Sequence, residues 1–305
     1  MTKPTITVFG EVLFDCFPDA APVLGGAPFN VAWHLQGFGE SPRFISAVGD
    51  DEYGNKIRQA MDEWGLSTEF IEIKQGAPTG VVNVTIDNGE PHYDIRADCA
   101  YDDITLSEGI LDSVGDSGFL YHGTLAMRSQ TTAESLDKLV HRRGIKRFID
   151  VNLRDPWWNP GQVIEAMNYA YCVKLNYAEL VLLLAADSPD AQITEDTWQD
   201  LAGKFKAKHN VVHLLVTRGE QGAMLSDSVG EWLRVAPPSY QTRVQDTVGA
   251  GDAFASVMLL GFVNDWDLGV AMKRAQDFAN YIVMQRGAIT TNQATYRDFR
   301  HLWNI

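Results

Sequence analysis

"DTVGAGDAFASVMLLGF", Asp246 to Phe262, sets Gly249 and Gly251 around one alanine, adds a carboxylate at Asp252 and runs at once into an apolar helical stretch. Successive backbone N–H groups on Gly249, Ala250 and Gly251 converge only where small residues let the turn tighten. They then point where a helix N-terminus already favours negative charge. Such a nest is an anion hole. An Asp at a helix start is also an ordinary N-cap, and that reading stays open for Asp252. A cap alone has no use for three small residues ahead of it. A carboxylate beside a nest can accept a hydroxyl proton while the nest holds the phosphoryl group under attack.

Outward from this helix, short β-branched runs alternate with amphipathic helical patterns. The runs are "TITVF" (5–9), "RFISAV" (43–48), "GFLYH" (118–122), "RFIDV" (147–151), "YCVKL" (171–175) and "VVHLLVT" (211–217). Helical segments are expected near 27–38, 53–64, 131–142, 160–168, 177–185 and 194–208, then at 251–262, 267–285 and 294–302. Such alternation implies an α/β fold with a mostly parallel sheet covered on both faces. One stretch breaks it: "GVVNVTIDNGEPHYDIRAD" (80–98) places two strand-like runs around Asn88-Gly89, a strong hairpin signal. Val82, Val84 and Ile86 form an apolar face there. Residues 11–37 and 78–103 are expected to build a small lid on one 305-residue domain, and "GAMLSDSVGEWLRVA" (222–236) a second hairpin.

Bulk properties narrow the function. Twenty-five basic against 40 acidic residues give a net charge of −15, which disfavours phosphate backbones and anionic membranes as partners. Cys16, Cys99 and Cys172 are odd in number and widely spaced, without a zinc pattern or a disulfide framework. "MTKPTITVFGE" enters a strand with no apolar leader, so a cytoplasmic location is expected. Other nucleotide-site motifs are missing: the nearest approach to a Walker loop, "GDDEYGNK" (49–56), has Asn55 where lysine belongs. Neither a G-x-S-x-G elbow nor a protein-kinase motif set occurs.

"DTVGAGDAF", together with "LGGAPFNVAWHL" (24–35), resembles the paired signatures of the ribokinase-like or PfkB family of carbohydrate kinases, in the expected order along nearly the whole chain. The resemblance implies a ribokinase-like three-layer sandwich with a small β-strand lid. It implies Asp252 as the catalytic base and Gly249, Ala250 and Gly251 as the anion hole for the γ-phosphoryl group. Asp246 and the backbone of Val248 resemble a loop that binds a monovalent cation, usually potassium, whose other ligands would be carbonyls around Arg286 to Thr290. One departure is Val257, where the signature usually has a small residue.

At the sugar end, residues at the positions of Asp15, Gly26 and Asn30 contact the sugar in the family, and Arg96 resembles the lid arginine of fructokinases. "DVNLRDPWW" (150–158) resembles a fructokinase and ketodeoxygluconate kinase segment, which places Asn152 and Arg154 near substrate or phosphate. At the nucleotide end, Asn176 and Glu179 in "KLNYAEL" form either a capping box or the family's N-x-x-E segment, which serves the phosphates and, through water, Mg²⁺. "VTRGEQGA" (216–223) brings Thr217, Gly219 and Gly222 along the nucleotide. "GAITTNQ" (287–293), with Gly287 and Asn292, follows the helix where the family forms its adenine pocket.

These features imply an ATP- and Mg²⁺-dependent kinase acting on a primary hydroxyl of a small sugar, with fructose as the leading acceptor. Ketodeoxygluconate, or another sugar or a nucleoside, is the alternative acceptor. A noncatalytic sugar or nucleotide sensor is the alternative class, and intact Asp252 and an intact nest argue against it. The lid permits a homodimer.

Overall fold

The computed structural model describes residues 3–18, 20–87, 90–114, 118–237 and 244–305. Its strands are β1 (Thr5–Phe9), β2 (Leu13–Cys16), β3 (Val23–Gly25), β4 (Arg43–Gly49), β5 (Ile71–Lys74), β6 (Gly80–Asp87), β7 (Glu90–Ile95), β8 (Gly118–His122), β9 (Ile145–Asp150), β10 (Cys172–Asn176), β11 (His213–Thr217), β12 (Ala223–Ser226) and β13 (Trp232–Val235). The helices are α1 (Ala27–Gly37), α2 (Glu52–Trp64), α3 (Glu108–Val114), α4 (Gln130–Val140), α5 (Pro160–Met167), α6 (Tyr177–Asp187), α7 (Trp198–Lys208), α8 (Ala250–Val263), α9 (Leu268–Ile282) and α10 (Gln293–Trp303).

The main sheet has nine strands in the order β13-β12-β11-β10-β9-β8-β1-β4-β5. Its pairs from β11 to β5 are parallel, and β12 and β13 close one edge as an antiparallel hairpin. The apolar runs in β1, β8, β9 and β10 are buried because helices cover both faces. From β1 the chain builds outward through β4 and β5 on one side, then crosses to β8 on the other. The β1/β8 boundary is therefore the point where strand order reverses, the place where open α/β sheets hold ligands.

A second sheet of four strands, β3-β2-β6-β7, stands apart from the first. Val82 and Val84 of β6 join Leu13, Ile95, Phe9 and Ile45 in one buried cluster. Val82 and Val84 of the apolar face read from the sequence are thus packed against the main body of this chain. Among the described residues of 11–37, β2 and β3 join the small sheet. Helix α1 lies in the main core, where Phe29, Trp33 and Leu35 pack with residues of α8. The expected Asn88-Gly89 turn lies outside the described residues. Helix α7 begins at Trp198 rather than near 194, and Thr194 to Thr197 form turns held by Thr197 Oγ1 on the Gln192 carbonyl (2.7 Å).

Three aromatic residues lock α1 in place. Trp33 stacks on Trp64 of α2, centroids 4.8 Å apart and planes within 2°, and Tyr296 of α10 lies 5.5 Å from Trp64. Gly37 leaves room for this arrangement, because a Cβ on it would stand 2.6 Å from two Tyr296 ring carbons. Gly→Ala in a helix ordinarily stabilises by about 0.5–1 kcal/mol. Here the overlap should reverse the sign, so Gly37→Ala is expected to destabilise by about 1–3 kcal/mol in urea unfolding.

Candidate active site

The carboxyl ends of β1, β8, β9, β10 and β11 lie side by side, with Phe9 opposite His122, Asp150 opposite Lys174 and Asn176 opposite Thr217. Chain leaving these ends carries Asp15, Gly26, Asn30, Asn152, Arg154, Asn176, Glu179, Gly219 and Gly222, while the segment that opens α8 brings in Asp246 to Asp252. Gly249 takes a left-handed φ of 79° and is the N-cap of α8; a Cβ there would lie 2.4 Å from Ala288 Cα. Only glycine makes this turn so close to the 287–290 segment. Of the first N–H groups of α8, that of Ala250 turns back to the Thr247 carbonyl at 3.4 Å and that of Ala253 to the Gly249 carbonyl at 2.8 Å. Gly26 plays a similar part at α1, with φ 107° and the Glu11 carbonyl 2.8 Å from its would-be Cβ.

Asp252 does not cap its helix. No side chain caps α8, and the Asp252 carboxylate instead receives a 2.7 Å hydrogen bond from Asn30 Nδ2 on α1. This bond draws the two signatures together across 222 residues of chain. Burial, then the nearby Asp150 charge, raises Asp252 to about 6. Burial likewise raises Glu11 to about 7 and Asp15 to about 6, while Arg154 acts against the rise on all three acids. Glu11 Oε2 and Asn30 Oδ1 are buried without a hydrogen-bond partner, two acceptors suited to hydroxyl groups. Gly25 leaves room for the Asp15 carboxylate, whose Oδ2 would lie 3.2 Å from a Cβ at that glycine.

Behind the glycine turn lies a buried ion pair. Lys174 Nζ donates to both oxygens of Asp150, at 2.9 and 2.7 Å, and Tyr121 O–H donates to Asp150 Oδ2 at 3.1 Å. Burial works against the Lys174 charge, yet Asp150 holds the amine above its ordinary value. At the start of α6, Asn176 and Glu179 form a reciprocal capping box. The remaining Glu179 oxygen accepts from Leu153 N–H at 2.9 Å, tying α6 to the segment that carries Asn152 and Arg154. Asp246 joins two loops, accepting from Val248 N–H at 3.0 Å and Gly287 N–H at 3.1 Å.

The other expected residues are more scattered. Arg154 is exposed at the mouth of the acid cluster; Arg96 is exposed just past β7, its backbone N–H on the Val81 carbonyl at 3.1 Å. Asn152 turns the chain after β9 with φ 41°. Thr217 ends β11, and Gly219 and Gly222 close the tight turn into β12. Asn292 caps α10 through its side chain, on Ala294 N–H at 3.1 Å.

Four groups at the site escaped the sequence reading. Asp150 and Lys174 lie in quoted segments, and the available signal was a charge inside an otherwise apolar strand, which needs a partner when buried. Glu11 stood in "GEVLFD" beside the selected Asp15. His34, in "VAWHL", is held neutral by burial, which lowers it to about 3. Its Nε2–H donates to the Ala288 carbonyl (3.1 Å) and its Nδ1 accepts from Tyr296 O–H (2.8 Å), while Trp33 Nε1 donates to the Thr290 carbonyl (2.9 Å). Helix α1 therefore holds the 288–290 segment as well as Asp252.

This sheet arrangement is that of known ribokinase-like kinases. A fructokinase from Xylella fastidiosa, solved with bound ATP, superposes with a TM-score of 0.85 at 22% identity over 100% of both chains. A Vibrio cholerae O395 fructokinase in a fructose-, ADP- and calcium-bound form gives 0.79 at 21% identity, covering 97% of this chain and 99% of that one. A 2-dehydro-3-deoxygluconokinase from Thermotoga maritima also gives 0.79, at 17% identity over 98% and 99% of the two chains. The chain belongs to the pfkB family of carbohydrate kinases, whose family model matches residues 18–295. In sequence it is 26% identical to a probable fructokinase-4 of Arabidopsis thaliana over 284 residues, 86% of this chain and 83% of that one. A probable fructokinase-5 of the same plant is 27% identical, covering 95% and 92%.

Glu11, Asp15 and Asp252 bind protons more tightly folded than unfolded, so raising the pH between about 4 and 7 favours the unfolded chain. Buried His34, His122 and His213, lowered to about 3, 4 and 4, act the opposite way below about pH 6.5. The acids therefore show as a difference: between about pH 4.5 and 7 the Tm of Glu11→Gln should rise relative to that of the ligand-free wild type as the pH is raised, as read by calorimetry at several pH values.

Proposed function

We propose that this sugar kinase is an ATP-dependent fructokinase. The observation that carries the reaction is the Asp252 carboxylate, raised to about 6, beside the glycine turn and held by Asn30. A carboxylate so placed is nearly fully ionised at neutral pH yet basic enough to share a proton in the transition state. In the proposed step, a primary hydroxyl of the sugar gives its proton to Asp252. Its oxygen forms a bond to the γ-phosphorus as the bond to the β-phosphate oxygen breaks, and ADP leaves. Asp15 and Asn30 hold the sugar, Arg96 reaches it from the small sheet, and the Gly249, Ala250 and Gly251 N–H groups with Arg154 face the spreading phosphoryl charge. The transition state is loose, so position and fixed dipoles supply most of the acceleration.

Asn152 and Asn176 face the phosphates in this reading, and Thr217, Gly219, Gly222, Gly287 and Asn292 border the nucleotide. Mg²⁺, when bound, neutralises phosphate charge. Glu179 fits a water-bound ion, because each oxygen accepts one backbone N–H and keeps a lone pair. The Asp246 carboxylate and Val248 carbonyl would hold a potassium ion. The Thr290 carbonyl accepts from Trp33 and lies 3.4 Å from the Tyr296 hydroxyl, whereas the Ala288 carbonyl accepts from His34 and keeps a lone pair for the ion.

Fructose is favoured by the fructokinases among the relatives and by the charge available for an acceptor. The deoxygluconate kinase gives the same TM-score, 0.79, as the Vibrio fructokinase, so fold does not separate the two sugars. An anionic sugar needs cations, and Arg128 is spent: Nε and Nη2 grip Asp102 at 2.7 and 2.8 Å, and the guanidinium lies 4.6 Å from the Trp157 ring centre. Among the described residues, Arg96 and Arg154 remain for a sugar carboxylate.

A coupled ADP-release assay with ATP and Mg²⁺ over fructose, ketodeoxygluconate, ribose, glucose and adenosine tests the reading. Preferred turnover of fructose is expected, and preference for another acceptor would move the assignment. Asp252→Asn should lower kcat by about a thousandfold or more with sugar binding retained, and near-wild-type turnover would remove Asp252 from its role. Arg96→Ala should raise the KM for sugar more than that for ATP.

A further inference from the structure

The ion pair behind the glycine turn has no part in the step above, and its position gives it one. Lys174 Nζ would lie 3.2 Å from a Cβ on Gly251, so a glycine at this place is what lets the amine come up beneath the first turn of α8. A cation at a helix N-terminus opposes the helix dipole, and burying it adds a desolvation penalty. The molecule nonetheless orients this cation with two hydrogen bonds to Asp150, which Tyr121 holds in turn, all three side chains on adjoining strands. A salt bridge serving stability alone gains nothing from that location. A positive charge there becomes favourable once a phosphoryl group sits on the opposite side of the turn, where N–H groups and amine act in the same direction in a water-poor site.

We infer that Lys174, fixed by Asp150 and Tyr121 behind Gly251, is a positioning residue for phosphoryl transfer, supporting the glycine turn with a buried positive charge and offsetting the Asp150 charge at Asp252. This rests on the kinase reading above. Asp252 faces charged or titratable groups from every neighbouring element: Glu11 after β1, Tyr121 on β8, Asp150 on β9, Arg154 in the following loop and Lys174 on β10. Asp150 pushes its proton affinity up; Lys174 and Arg154 push it down. The pair is built so that the cation reaches the turn while its counter-charge is shared with Tyr121.

The test compares Lys174→Met, Asp150→Asn and the double variant, each checked for folding by circular dichroism and Tm. kcat and KM for both substrates are measured from pH 5 to 9 with the sugar that the wild type turns over. Lys174→Met should lower kcat by about tenfold or more while both KM values stay within about threefold. In Asp150→Asn the repulsion on Asp252 is gone and, over the acid range, Asp252 and Glu179 still favour the charged form of Lys174, so the acid limb of kcat/KM should move down by about half a pH unit or more. The double variant leaves no buried charge unpaired and should fold even if Lys174→Met does not; it should keep the low kcat. Wild-type kcat in the double variant, or kcat and KM failing together with an unmoved acid limb in Asp150→Asn, would overturn the inference. Wild-type protein silent on every sugar would sink the kinase reading itself, whereas an inactive Asp252→Asn beside a fully active Lys174→Met would overturn this inference alone.

Discussion

The hydrogen bond from Asn30 to Asp252 is the contact on which the site depends. It joins the first turns of α1 and α8, two helices each opened by a glycine in a backbone conformation other residues avoid. Both helices are apolar around nearly their whole surface and sink into the same core beside the sheet. Their starting points are therefore fixed by packing, and the polar pair only has to span a gap that the core already sets. A bond of this type, with a charged acceptor in a dry setting, is stronger than a neutral one in water.

Burial supplies the chemistry. Glu11 follows β1, Asp15 lies half-buried on β2 and Asp252 on α8, and removing solvent is the largest influence on each. Arg154 is exposed whereas Lys174 is buried and hydrogen-bonded to Asp150, so Asp252 feels two positive charges that differ in their access to water. Folding maintains these crowded acids through the apolar contacts of three clusters around them.

The α/β alternation was legible because β1, β4, β8, β9, β10 and β11 are runs of β-branched and aromatic residues buried on both faces, which leave an unmistakable sequence signal. Strands β2, β3 and β5 are four, three and four residues long, too short for any period to register. Glycine spacing made the turn at 249–251 readable, since few other local structures need it. Lys174 and Asp150 were not readable as a pair: each is one charge on its own strand, and only sheet register places them opposite each other. His34 was hidden for the same reason, its partners being Ala288 and Tyr296 near the far end of the chain.

Helix α1 has a further meaning for how such a protein changes over time. One face of a single helix holds Asp252 through Asn30 and, one turn later, the 288–290 segment through Trp33 and His34. The acceptor side and the proposed nucleotide side are therefore not separate modules that can be exchanged independently. A graft of α1 from a relative with another sugar preference would carry the opposite binding wall with it. The four-stranded sheet has no such double duty, and so it is the part of the molecule most free to diversify: new acceptors are most easily acquired at the small sheet, with the helix left alone.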